Sequence, residues 1–129
     1  MEFVSDGTFE LDLRVTGERA FPGIDWRIGD GGWESFFVRP HQVRNPDAIQ
    51  YTPAFHGVSS WQLYTGEGFW APAAFPLEEW FTIRVVCEGT RAEMYVADLD
   101  APVFATTLRL PPRPGRDRRR HPHLPMFYH

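Results

Sequence analysis

Alternation of apolar and polar residues at every second position, in short runs cut by turn residues, limits this chain's folds more than any other feature. Phe9, Leu11, Leu13 and Val15 interleave with Glu10, Asp12 and Arg14. An extended backbone therefore puts four apolar side chains on one face and three charged ones on the other. Trp80 opens a second run in which Phe81, Ile83, Val85 and Cys87 share a face, and in a third Ile24, Trp26 and Ile28 alternate with Asp25 and Arg27. No window keeps apolar residues at i, i+3, i+4 and i+7 for three turns, and twelve prolines and eleven glycines are spread along the chain. Helix is a minor component at most.

The breaks between runs carry turn chemistry. Gly29-Asp30-Gly31-Gly32 reads as a hairpin turn that needs residues tolerant of positive φ, so Trp33–Arg39 is expected to pair antiparallel with Gly23–Ile28. Pro40 stops that strand, and a loop with a turn at Asn45-Pro46-Asp47 runs to about Ala48. Short strands are expected at Ile49–Thr52 and Ser60–Tyr64, and Gly66-Glu67-Gly68 turns the chain again. Glu88-Gly89-Thr90 joins the Trp80 run to Ala92–Val96, and Asp98–Ala101 leads to Val103–Leu110. The expectation is an all-β fold, an antiparallel two-sheet jelly-roll sandwich over residues 1–110. Residues 111–129, PPRPGRDRRRHPHLPMFYH, read as a basic disordered tail. The sandwich would then lack a terminal strand, and its unpaired edge would invite self-association.

At 129 residues the chain suits one domain that buries roughly two-thirds of its unfolded surface without staples. The single Cys87 has no partner for an internal disulfide and alternates in phase with its apolar neighbours, so it reads as a small buried hydrophobe. The start of the chain has no basic, then apolar leader pattern, and no stretch approaches the roughly 18 apolar residues of a membrane span, so a cytoplasmic location with no membrane partner is expected. The tail holds five arginines against Asp117, while residues 1–110 hold eight arginines against sixteen carboxylates. An acidic globular part argues against nucleic acid as a partner.

Residues 33–64 concentrate aromatic, amide and charged side chains. A sugar offers an apolar C–H face that lies on an aromatic ring and a rim of hydroxyls that need paired donors and acceptors. Trp61, Tyr64, Tyr51 and Trp70 would supply platforms; Arg39, His41, Gln42, Asp47, Gln50 and Gln62 would supply the rim. The competing reading makes Trp61 and Tyr51 core aromatics with an internally satisfied polar end. His41 with Asp47 or Glu34 could do acid–base work, against a loop histidine bonded to backbone. No cofactor or metal is expected, with Asp47 the first residue to consider for calcium.

Phe21-Pro22-Gly23-Ile24-Asp25-Trp26-Arg27, Trp33-Glu34-Ser35-Phe36-Phe37-Val38-Arg39-Pro40 and Gln50-Tyr51, with the Trp80 hairpin, resemble the concanavalin A-like lectin/glucanase (laminin G-like) group. The likeness covers about residues 3–110 and includes the group's bacterial 3-keto-disaccharide hydrolase-like domains. It implies a jelly roll and either sugar binding or hydrolysis of modified disaccharides. Glu10-Leu11-Asp12 is similar to the start of the Glu-x-Asp-x-x-Glu strand of jelly-roll glucanases, but the third carboxylate falls on Arg14 or Val15, so a solvated strand face is expected there. The leading expectation is a binder of a carbohydrate or glycoside, followed by the hydrolase and then by an interaction module without a small ligand.

Overall fold

The computed structural model describes residues 5–55, 58–59, 66 and 68–121, and over these it is two antiparallel sheets packed face to face. One has four strands in the order β1 (Gly7–Arg14), β7 (Trp80–Glu88), β8 (Arg91–Val96) and β9 (Phe104–Thr107). The other runs β10 (Arg116–Arg120), β2 (Gly23–Gly29), β3 (Gly32–Val38), β4 (Ile49–Phe55), β5 (Val58–Ser59), and β6 (Trp70–Ala71) also pairs with β4. A 3-10 turn, Pro40–Gln42, follows β3. Among the described residues no helix is long and apolar enough to cross a membrane.

The period-two runs pack as their pattern dictates. Phe9, Leu11, Leu13 and Val15 meet Phe81, Ile83, Val85 and Cys87 across the β1–β7 ladder, and Ala92, Met94 and Val96 continue that layer. Ile24, Trp26, Phe36, Val38, Ile49 and Tyr51 cover it from the larger sheet. Each such large apolar side chain contributes about 1.5–3 kcal/mol by leaving water. Cys87 is buried and free, and burial pushes its thiol pKa up. The hairpin turn after β2 places its positive φ at Gly32, where a Cβ would stand 1.9 Å from the Ala54 carbonyl oxygen. Arg27 also takes a left-handed φ of 53° at the β2–β3 irregularity. Its guanidinium thereby reaches the carbonyls of Ser5 at 2.7 Å and Gly89 at 2.6 Å, tying the two sheets together.

The chain past Leu110 departs from the expected disordered tail. Leu108 and Leu110 are buried, Arg113 donates to Glu34 at 3.2 Å, and Arg116–Arg120 adds an outer strand beside β2. The arginine run reads as polar tail in one dimension, yet its alternate members take opposite faces of a strand. Arg119 donates to the Glu10 carbonyl at 2.7 Å, while Arg118 is buried against the other face. A strand beside an early strand is thus present, where the sequence reading left the sandwich without one. Residues 122–129 lie outside the described residues.

Candidate functional site

The β3 sequence has two useful faces. Phe36 and Val38 join the core, so Trp33, Ser35, Phe37 and the following Arg39 take the opposite side of the larger sheet. Strand register fills that side in rows. Arg118, Asp25, Ser35 and Thr52 lie side by side across β10, β2, β3 and β4; Arg120, Gly23, Phe37 and Gln50 form the next row, with Trp70 beyond Gln50. Gly23 is what lets the second row close. A Cβ there would stand 2.0 Å from the Phe36 carbonyl oxygen and 2.6 Å from Phe37 Cα.

An ion network occupies the first row. Asp25, 1% exposed, accepts from Ser35 Oγ at 2.7 Å and from Arg118 Nε and Nη2 at 2.9 and 2.6 Å. Arg120 Nη2 donates to Ser35 Oγ at 2.9 Å and lies 3.3 Å from the Asp25 carboxylate. Planar guanidinium also stacks on aromatic faces: Arg118 lies over Trp33 at 5.1 Å and Arg120 over Phe37 at 5.7 Å. Arg120 Nε has no hydrogen-bond partner among the described residues, and burial lowers the Arg120 pKa against the pull of Asp25.

Arg39 closes one end of the face. It donates to Gln50 Oε1 at 3.4 Å, lies 3.8 Å from Asp47 and 5.8 Å from the Phe21 ring, and its Nε is buried without a partner among the described residues. Phe21 meets Phe37 and His41 edge to face, at 5.8 and 5.6 Å, and Arg19 lies 4.9 Å above it. Burial, then the charges of Arg39 and Arg19, lower the His41 pKa, with Asp47 opposing.

Of the residues singled out by sequence, Arg39, His41, Asp47 and Gln50 come together at this end. Gln42 is spent on its own loop, accepting from Asn45 at 2.7 Å. Tyr51 is a correction: it is 0% exposed on the core face, where its hydroxyl donates to Glu34 at 2.7 Å, accepts from the Arg109 amide at 2.9 Å, and its ring stacks on Phe69. Glu34 lies on that core side too and pairs with Arg113, so it is no partner for His41. Burial raises the Glu34 pKa despite both hydrogen bonds. Trp61, Gln62 and Tyr64 lie outside the described residues, and Trp70 is half-buried with its indole nitrogen unpartnered among them. Among the described residues no cluster of three or more His, Cys, Asp or Glu side chains is placed to hold a metal, and Asp47 is engaged by Arg39.

Sequence reasoning missed Asp25, Trp33, Ser35, Phe37, Arg118 and Arg120. The signal for the first four was the alternation itself, which sets Asp25 opposite Ile24 and Trp26, and Ser35 opposite Phe36. The arginines had no signal without the strand that carries them.

No protein-family model matches the sequence, and no curated protein matches it. Among solved structures the chain is similar to the carbohydrate binding module CBM66 from Bacillus subtilis, with a TM-score of 0.62 and 14% sequence identity. The match covers 91% of this chain and 65% of that one, so the chain spans less than two-thirds of the module's length. This is a likeness of fold, a β-sandwich.

Proposed function

We propose that this chain is a carbohydrate-binding β-sandwich that receives its ligand on the face of the larger sheet turned away from the core. The observation that carries this reading is the buried Asp25–Ser35–Arg118–Arg120 network on that face. Packing does not require it, since burying ions costs several kcal/mol per charge before pairing offsets it. Fixed arginine forks beside the half-buried Trp33 suit a sugar, which needs oriented hydrogen-bond partners along its rim and an aromatic surface for its C–H face. The neighbouring fold, described as a carbohydrate binding module, supports the same reading.

Hydrolysis draws less support. Glu10 is held by Arg84 at 2.5 Å and Asp12 accepts from Thr82 at 2.6 Å, both on the outer surface of the other sheet. Asp25 is held by Arg118 and Asp47 lies against Arg39, so each carboxylate is engaged by a guanidinium.

The test is a glycan array probed with wild type and Trp33→Ala, with circular dichroism on both. Wild type is expected to bind a restricted set of glycans, and the folded variant to lose at least about tenfold in affinity, the scale of one aromatic platform. A folded wild type that binds no glycan would overturn the proposal. Release of reducing sugar from a bound glycan would replace it with the hydrolase.

A further inference from the structure

We infer that the sugar received on this face carries a carboxylate, so that the ligand is an acidic, uronate-bearing carbohydrate. The inference rests on the proposed sugar-binding role and adds the chemical class. It follows from the balance of donors, acceptors and charge among the described residues.

The carboxylates and the amide oxygen of the face are already turned toward its arginines and Ser35. Both Asp25 oxygens are engaged by Ser35, Arg118 and Arg120, Gln50 Oε1 accepts from Arg39, and Asp47 lies 3.8 Å from the Arg39 guanidinium. Donors remain over. Arg39 and Arg120 each keep a buried Nε with no partner among the described residues, and their side chains stay 11% and 12% exposed. A neutral sugar hydroxyl brings one donor and two acceptor sites, whereas a carboxylate brings acceptors alone, in the planar arrangement that a guanidinium fork matches.

Charge points the same way. Arg19, Arg39, Arg118 and Arg120 gather around Asp25 and Asp47, although the chain as a whole has a formal charge of −4. Burial lowers the proton affinity of His41 most, and Arg39 and Arg19 lower it further against the pull of Asp47, so both arginines add positive potential at that end. Such a patch on an acidic protein concentrates anions locally. Arg39 and Arg120 sit two strands and two residues apart, about 10 Å across the sheet and about 7 Å along it, a span suited to one or two sugar rings.

The experiment titrates the full chain calorimetrically with oligogalacturonate, oligoglucuronate and oligomannuronate, with the methyl ester of each, and with a sulfated neutral oligosaccharide. At least one uronate is expected to bind. Its ester, in which a methyl group caps the carboxylate and removes its charge, should bind at least about tenfold more weakly, since charge-assisted hydrogen bonds are lost. Arg39→Gln and Arg120→Gln should weaken the acid by a larger factor than they weaken the ester, and raised salt should weaken the acid alone. The acid–ester comparison on wild type stands even if a variant misfolds. An ester that binds as well as its acid overturns this inference and leaves sugar binding intact. Preference for the sulfated oligosaccharide over every uronate also overturns it. Failure of every sugar, here and on the glycan array, removes both readings.

Discussion

The outward faces of the two sheets follow the same period-two rule and have opposite characters. On the four-stranded sheet the outward residues of β1, β7 and β8 pair in the open: Glu10 with Arg84, Asp12 with Thr82, and Arg91 beside Glu93. Glu10 is 45% exposed, water screens it, and such pairs are worth about 0–1 kcal/mol. On the six-stranded sheet the equivalent positions hold Asp25 and Arg118 out of solvent and Arg120 mostly so, with Arg118 over Trp33 and Arg120 over Phe37. One face is a solvated exterior; the other holds desolvated charge in fixed geometry, which is what a recognition surface needs.

The largest expected effect comes from breaking the buried network. Asp25→Ala leaves Arg118 and Arg120 buried without their carboxylate and should cost about 3–5 kcal/mol in urea unfolding. Glu10→Ala on the other face should cost under about 1 kcal/mol. Equal costs would erase the distinction between the faces. Next, Tyr51→Phe strips a donor from buried Glu34 and an acceptor from the Arg109 amide, for an expected loss of about 1–3 kcal/mol of stability. Glycan affinity should be unchanged, because Tyr51 belongs to the core side of the sheet.

Proton linkage gives a smaller effect. The folded-state pKa values of His41 and His121 are lowered from 6.5, so their contribution is present above that pH and is lost as pH falls through the folded values. The Glu34 pKa is raised from 4.5, so its contribution is present below that value and is lost as pH rises through the folded one. The histidine part of the stability should therefore fall as pH drops below about 6.5 and be smaller in His41→Asn, as the difference in urea midpoints between the two proteins across that range would show. The smallest effect is the Glu10–Arg84 coupling, about 0.2–1 kcal/mol in a double-mutant cycle and weaker at high salt.

Much of the sandwich was legible because apolar periodicity reports directly on burial. The Phe9–Val15 and Phe81–Cys87 faces entered the core as read, and the Gly29–Gly32 turn made its hairpin. The site was legible only in part. Arg39, His41, Asp47 and Gln50, singled out for their polarity, come together at one end of the candidate site, whereas Asp25 and Ser35 looked like ordinary solvent-facing alternation. Whether such a face is wet or covered depends on strands distant in sequence. Arg118 and Arg120 lie 93 and 85 residues from their partners Asp25 and Ser35, in a stretch whose proline and arginine content resembles a tail. Tyr51 failed as a platform for a related reason: one position along β4 decides between core and outer face.

The most direct test of the ligand face is an NMR titration of the 15N-labelled chain with a glycan that binds it. Backbone shifts are expected to concentrate in Gly23–Asp25, Trp33–Arg39 and Arg116–Arg120, with the Arg39 and Arg120 Nε–H resonances moving most. Shifts centred instead on the outward residues of β1, β7 and β8 would contradict the account.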